Sequence, residues 1–336
     1  MNILFTCAGR RNNLLQYFKE ALNGRGKIIA ADMEMTAPAM SVANVSYTVP
    51  GVYDKRYIES LLDICVKENI AGLISLNDLE LPILASREKD FELGDVKLII
   101  SKPEVIDVCF DKNKTLIFGE RLGIKVPKTA LSLKIAMMAL ETGQMKLPLV
   151  VKPRWGSASI GIEFPETKEE LELAYRLQEK KLLRSNLFEA SKNDLEQSIL
   201  IQEKINGIEY GLDVLNNFDG QPVQVYVKEK HAMRAGETDK AVLRNIPALE
   251  ELGFRIGKTL GHIGNLDVDI FEMDGHYYLL EMNPRFGGGY PFSHMTGANY
   301  PAAIIAWLQN KPFDFSSFKK EFDQVYAKCD TLVRVG

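Results

Sequence analysis

The first hundred residues leave little freedom of fold, because short apolar runs alternate there with amphipathic stretches. NILFTC at residues 2–7 is strand-like, and Leu14, Leu15, Phe18 and Leu22 follow at helical spacing. A second strand is expected over 27–31, ending at Asp32, and a short third over 45–49. A helix over 57–68 carries Ile58, Leu61, Leu62 and Cys65 on its apolar face. A strand over 71–76, a helix over 78–89 and a strand over 96–101 complete the pattern. Strand and helix alternating at this spacing predict a parallel sheet with helices on both faces.

Residues 102–111 read as a boundary, and the pattern then changes. A helix is expected over 112–122, closing at Gly123, and a strand over 147–152 (LPLVVK). A small-residue loop over 156–161 leads into a strand starting at 162–164, a helix over 168–177 and a strand over 199–205. Strands over 210–215 and 223–228 pair around a turn at 216–220. A long helix over 246–262 precedes a hairpin, 265–273 with 276–283, turning at Asp274 and Gly275. A glycine-rich loop (286–290) and an apolar helix (300–308) follow. The fold class is therefore α/β, passing to α+β in the C-terminal part. The length of 336 residues suggests two domains, expected at 1–110 and 111–330.

With 41 basic and 45 acidic residues the net charge is -4, which lacks the basic footprint of a nucleic-acid binder. No apolar run reaches the length of a membrane span, and the opening MNILFTCAGRR reads as a strand rather than a signal peptide. Cys7, Cys65, Cys109 and Cys329 form no C-x-x-C pair, so neither a zinc ribbon nor a redox motif is expected. The expectation is a cytoplasmic protein with reduced thiols and neither nucleic acid nor membrane as partner.

The chemistry concentrates in DIFEMDGHYYLLEMNPR, residues 269–285. Asp269 is expected to begin one strand of the hairpin, while Glu281 and Asn283, two apart and so on one face, end the other. Two carboxylates and an amide oxygen converging at one hairpin end suit a hard cation such as Mg²⁺ that bridges phosphates. A second feature is VVKPRWGSASIGI, where Lys152 ends a buried strand and Gly156, Ser157, Ser159 and Gly161 form a loop of small residues. Such a loop lets backbone N–H groups approach an anion. It is not a P-loop, since Ile162 stands where the lysine is required. In LIQEKINGIEYGLD, Glu203, Lys204 and Ile205 end an apolar strand that suits a flat heterocycle, and Glu209 is placed for a ribose hydroxyl.

In combination these motifs resemble the ATP-grasp superfamily, in particular its carbamoyl-phosphate-synthase-like and biotin-carboxylase-like branch, from Asp111 to the C-terminus. The first hundred residues look like the Rossmann-like domain that precedes the ATP-grasp fold in that family. The resemblance implies two lobes, a small lid lobe at about 125–203 and a large lobe at about 204–330. It implies that Lys112 (in FDKNK) and Lys152 contact ATP phosphates, that 156–161 is a mobile glycine loop, and that Glu203, Lys204 and Ile205 hold the base with Glu209 on the ribose. Asp269, Glu281 and Asn283 match the metal ligands for Mg²⁺ or Mn²⁺, although many relatives carry Glu where Asp269 stands. Arg285 matches the arginine that stabilises charge on the transferred group, making it and Lys152 the expected catalytic residues. CAGRR, LNDLEL and RAGETDKA look like short carbamoyl-phosphate-synthase-like proteins, some of which serve surface-polysaccharide or small-molecule biosynthesis. A full large subunit has two ATP-grasp halves, and one is present here.

The implied activity joins a carboxylate to an amine, or a related nucleophile, through an acyl phosphate with release of ADP and phosphate. With ATP assigned beyond Asp111, the strand-end loops of the first domain are free for the acceptor. Arg10 and Arg11 are candidates for its carboxylate or phosphate, and Asp78 and Glu80 for its amine. Lys228, His231, Arg234 and Lys240 gather cations near the cleft, with Lys228 and Arg234 as substrate candidates for phosphate or acceptor. A homodimer is also expected. Two rivals remain: a dinucleotide-binding dehydrogenase, with Gly9 and Asp32 but lacking the two further glycines, and a non-catalytic nucleotide-binding module.

Overall fold

The computed structural model describes residues 1–156 and 161–335, and three sheets organise them. The first is parallel, built from β1 (Asn2–Thr6), β2 (Ile28–Asp32), β3 (Val45–Thr48), β4 (Ile70–Ser75) and β5 (Lys97–Leu98) in the order β3-β2-β1-β4-β5. Between them run α1 (Asn12–Leu22), α2 (Tyr57–Glu68), α3 (Leu81–Ser86) and α4 (Glu88–Glu92). Strand alternation explains the double coverage. Ile3 and Phe5 share a core with Leu15 and Phe18 of α1, while Leu4 and Leu73 share another with Tyr57 and Leu61 of α2. Strand order reverses between β1 and β4, which places the loops after them at the sheet's natural crevice.

Next come α5 (Pro103–Phe110) and α6 (Lys112–Arg121), then β6 (Thr129–Ala130), α7 (Leu133–Glu141), β7 (Leu149–Pro153), α8 (Lys168–Leu182), α9 (Leu187–Ser191) and β8 (Ile199–Glu203). These strands make a three-stranded antiparallel sheet, β6-β8-β7. Its core joins Leu149, Val151 and Ile201 to Ala136 of α7 and Leu171 of α8.

The third sheet is antiparallel, in the order β13-β12-β9-β10-β11-β14, from β9 (Ile208–Asn216), β10 (Pro222–Arg234), β11 (Glu237–Leu243), β12 (Gly264–Met273), β13 (His276–Asn283) and β14 (Val325–Ala327). Helix α10 (Pro247–Leu260) packs Leu249 and Ile256 on Leu212, Val214 and Val225. Helices α11 (Tyr290–Met295) and α12 (Tyr300–Leu308) lead back to the parallel sheet. There Tyr290, Tyr300 and Ile304 join the core of Phe5 and Phe18, which continues to Leu215 and Tyr226 of the large sheet.

Several elements differ from the sequence reading. The helix expected over 78–89 starts at Leu81, because the Asn77 side chain accepts the Leu79 N–H in a turn, and it breaks at Arg87. The stretch 102–111 contains α5, with Pro103 in its first turn. The strand expected from 162 is one isolated bridge between Glu163 and Val151. Helix α7 and strand β11 had no counterpart in the sequence reading. Among the described residues no helix is long and apolar enough to cross a membrane.

Candidate functional site

A cavity of about 1340 Å³ opens between the three-stranded sheet, the six-stranded sheet and the strand-end loops of the parallel sheet. Its floor is the hairpin β12–β13. Register sets Asp267 opposite Asn283 and Asp269 opposite Glu281, and alternation turns all four toward the cavity. Strand β12 begins at Gly264, so Asp269 stands in mid-strand and not at its start.

Lys230 of β10 donates to Asp269 Oδ1 at 2.6 Å and to Glu209 Oε1 at 2.8 Å. Burial opposes its charge, but those two carboxylates outweigh burial and hold its pKa above the ordinary lysine value. Gly211 makes room for this lysine, since a Cβ there would lie 2.9 Å from Lys230 Cε. Asp267 is different. Burial, reinforced by the charges of Asp269 and Asp213 and only partly offset by Arg285 and Lys228, raises its pKa to about 7.

Among the described residues no three His, Cys, Asp or Glu side chains are grouped as a ready-made metal cage. Asp269, Glu281 and Asn283 are a partial set of oxygens. That composition fits Mg²⁺, which takes one or two carboxylates and draws its remaining ligands from phosphates and water.

Two lysines face this floor from the opposite side. Lys112 opens α6, donates to the Gly156 carbonyl and lies 3.7 Å from Glu281 Oε1. Lys152, near the end of β7, is 4% exposed and has no carboxylate at ion-pair distance among the described residues. Burial and the neighbouring Lys112 charge lower its pKa to about 8, with Glu281 partly offsetting them. Gly156 has φ +104°, and a Cβ there would meet the Leu187 side chain at 2.6 Å, so the turn after β7 requires glycine. Ser157 and Ser159 lie outside the described residues. Gly161 stands off the cavity lining and its carbonyl accepts from the Gln178 side chain.

Glu203, Lys204, Ile205 and Glu209 all line the cavity, beside the apolar side chains of Val150, Phe164, Phe271 and Leu280. The Lys204 ammonium sits 5.3 Å from the centre of the Phe164 ring. The result is a slot with apolar walls and polar groups along its edge, which suits a flat heterocycle.

At the far end Arg285 is buried, and its Nε and Nη2 donate to Asp78 Oδ2 at 2.9 and 2.7 Å while Nη1 donates to the Phe286 carbonyl. Arg11 also lines the cavity and pairs with Glu237 at 2.9 Å, which in turn holds Lys328 at 2.9 Å. Lys228 lines it too, fully buried and donating to Asp213 and Ser293.

The remaining sequence candidates fall elsewhere. Asp78 holds Arg285 through Oδ2, its buried Oδ1 has no hydrogen-bond partner among the described residues, and it does not line the cavity. Glu80 is fully buried and accepts from Thr6, Tyr57 and Ser75 at 2.8, 2.6 and 2.5 Å, leaving it no access to an acceptor. Arg234 is exposed and bonded to Asp239 and Asp330. Arg10 and Lys240 are exposed, as is His231, which bonds to Glu229; none of the three lines the cavity. Burial, with the Glu80 charge, pushes the Cys7 thiol well above its ordinary range, which removes it as a nucleophile. Asp32 accepts the N–H groups of Gly9 and Glu34, so the carboxylate a dehydrogenase would turn to a ribose is already satisfied.

Sequence reasoning missed Asp267, Lys230 and Glu237. For the first two a signal existed: Asp267 is two residues from Asp269, and Lys230 two from Lys228, so strand alternation carries each pair to one face. Glu237 lies in the strand that the sequence reading did not anticipate.

Residues 3–99 match the family described as PylC-like, N-terminal domain, and residues 196–328 match the family described as ATP-grasp in the biosynthetic pathway with Ter operon. The carbamoyl phosphate synthase large chain of Gemmatimonas aurantiaca is 24% identical over 301 residues, 84% of this chain and 26% of that protein. The chain thus spans about a quarter of the length of the curated relatives it matches. Two solved structures share the fold. The biotin carboxylase domain dimer of Hydrogenobacter thermophilus 2-oxoglutarate carboxylase, in complex with MgADP, ADP and bicarbonate, gives a TM-score of 0.72 at 16% identity over 96% of this chain and 73% of that one. The L-amino acid ligase of Bacillus licheniformis gives 0.71 at 19% identity over 95% and 77%. The C-terminal segment thus matches an ATP-grasp family model, the fold is shared with solved ATP-grasp-type ligases, and most of the chain is similar to part of carbamoyl phosphate synthase large chains.

Proposed function

We propose that the protein is an ATP-dependent ligase that activates a carboxylate as an acyl phosphate and passes the acyl group to an amine or related nucleophile. The observation that carries this reading is the approach of Lys112 and Lys152 to the hairpin carboxylate Glu281 inside a cavity with an apolar slot at one end. The base would lie in the slot along Glu203, Lys204 and Ile205, with Glu209 at the ribose. Lys112 and Lys152 would neutralise the phosphates. Lys152 is suited to this because its buried charge has no carboxylate at ion-pair distance among the described residues.

Asp269, Glu281 and Asn283 would hold Mg²⁺ or Mn²⁺, whose chemistry is to neutralise phosphate charge. A carboxylate oxygen attacks the γ-phosphorus in line, the bond to the β-phosphate oxygen breaks, and ADP leaves. The amine nitrogen then attacks the acyl carbon, phosphate departs and the nitrogen loses a proton. Positioning and charge stabilisation supply the catalysis. Among the described residues three of Arg285's five N–H groups are hydrogen-bonded and Nη1 also lies 3.7 Å from Asp267 Oδ2, and its remaining capacity would stabilise the developing oxyanion. Arg11 and Lys228 border the acceptor end. The loop over 156–161 would exclude water from the acyl phosphate.

The two solved structures named above support this reading: one is a dimer in complex with MgADP and bicarbonate, and the other is an L-amino acid ligase. We read the chain as a cytoplasmic homodimer in small-molecule or surface-polysaccharide biosynthesis, with an N-terminal domain over 1–110 and an ATP-grasp domain over 111–330. The test is a screen of carboxylate and amine pairs for ADP release. ADP and phosphate with a productive pair are expected. AMP and pyrophosphate would overturn the mechanism, and no nucleotide turnover with any acceptor would favour a binding module.

A further inference from the structure

We propose that Arg154 is a positioning residue that locks the two phosphate lysines into register, an inference that rests on the nucleotide reading above. Arg154 follows Lys152 by two residues and is buried. Its Nε and Nη2 form a fork on Asp111, donating to Oδ1 and Oδ2 at 2.7 Å each. Asp111 is also the N-cap of α6, where its Oδ1 accepts the N–H groups of Asn113 at 2.9 Å and Lys114 at 3.4 Å. It therefore fixes the helical turn from which Lys112 departs.

The backbone repeats the connection. The Lys112 N–H donates to the Arg154 carbonyl at 3.2 Å, Asp111 forms an antiparallel bridge with Trp155, and the Arg154 N–H donates to Ser198 at 2.9 Å. On its other side Arg154 Nη1 donates to Asp194 at 3.0 Å. The guanidinium also lies 4.5 Å from the Trp155 ring centre.

Arg154 does not line the central cavity, whereas Lys112, Lys152, Trp155 and Gly156 do. Its influence on a ligand must pass through them. Helix capping needs Asp111 alone, so the cap does not account for the arginine. Nor does a buried ion pair stabilise a fold by much relative to apolar packing. What the planar fork provides is angular definition, which a lysine's single ammonium cannot reproduce. The arrangement joins the start of α6 to the end of β7, and these carry the two cations that face Glu281.

The test measures binding of ADP with Mg²⁺, and of adenosine, by calorimetry in folded protein well below its melting temperature. Arg154→Lys is expected to weaken ADP binding about tenfold while leaving adenosine within about twofold, because misplaced lysines affect only phosphate. Asp111→Asn, which keeps a capping oxygen, is the second variant and should act in the same direction. Lys112→Met should cost less affinity in the Arg154→Lys background than in wild type, since the two share one interaction. Parallel weakening of ADP and adenosine would mean general loosening and would overturn the proposal. Unchanged ADP affinity in both variants, with Lys152→Met still harmful, would overturn the clamp alone. Wild-type protein that fails to bind ADP, or a harmless Lys152→Met, would overturn the nucleotide reading and the clamp with it.

Discussion

Two buried polar regions adjoin through the Asp78–Arg285 pair, and they differ in how their groups are satisfied. In the crevice of the parallel sheet, Glu80 is ringed by three hydroxyl donors, Asp78 holds Arg285, and Asp32 accepts two backbone N–H groups. In the central cavity, Lys152 is buried without a carboxylate partner among the described residues, and burial together with neighbouring carboxylates raises the pKa of Asp267 to about 7. A buried charge is costly unless it is compensated. In the first region internal donors hold Glu80 and Asp32, although burial still raises the Glu80 pKa, and Asp78 is held by Arg285 through Oδ2. The second holds charges that a polyphosphate with a divalent cation would complete. The comparison teaches that a charged residue at a strand end is a site candidate only when its bonding capacity is not already consumed.

The most severe break of this contrast is at the cavity floor. Glu281→Gln should lower ADP release at least a hundredfold, roughly 3 kcal/mol or more of transition-state stabilisation, with the melting temperature little changed. Full turnover in that variant would remove the hairpin from the active site.

Glu80→Ala tests the other region and should give the opposite result. It leaves the hydroxyls of Thr6, Ser75 and Tyr57 without their acceptor, so urea unfolding should show a loss of about 2–3 kcal/mol. Turnover per folded molecule should stay near normal. Normal stability with a changed acceptor KM would return Glu80 to the acceptor site.

Lys152 offers a pH signature. Its pKa near 8 in the folded chain lies below the ordinary lysine value of 10.5. The unfolded chain therefore binds more protons between those values, and stability gained from deprotonation accumulates upward through the window and is lost as pH falls through about 8. Between pH 8 and 9.5, wild type should gain about 2 kcal/mol relative to Lys152→Met, read from urea midpoints. Over the same range ADP affinity should decline as the cation is lost. Parallel stability profiles for the two proteins would show that Lys152 is not an under-compensated charge.

The smallest effect is expected at Arg10, which is exposed and outside the cavity. Arg10→Ala should leave stability within about 0.5 kcal/mol and acceptor KM within about twofold. A large rise in KM would extend the acceptor site to the surface beside Arg11.

The β12–β13 hairpin was legible almost residue for residue, because its signals are local. Asp274–Gly275 set the turn, and alternation set the face shared by Asp269, Glu281 and Asn283. The parallel sheet was legible for a similar reason, since apolar runs and amphipathic helices report their own burial. Helix α5 (Pro103–Phe110) was hidden by its short length and by Asp111, which ends one helix and caps the next.

The sequence by itself determined which chemistry the chain carries: lysines at strand and helix ends, hard oxygens on one hairpin face, and no reactive cysteine pair. Only the tertiary structure decided which of those groups are free to act. Glu80 and Lys152 look equally promising as charged residues beside apolar runs. Packing encloses Glu80 with Thr6, Tyr57 and Ser75, and leaves Lys152 beside Lys112, facing the hairpin with Glu281 in a cavity. The physical reason is that desolvation and partner geometry depend on contacts between residues distant in the chain. Tyr57 and Glu80 are 23 positions apart, Asp111 and Arg154 are 43 apart, and Asp78 and Arg285 are 207 apart. No local pattern of residue types encodes those distances.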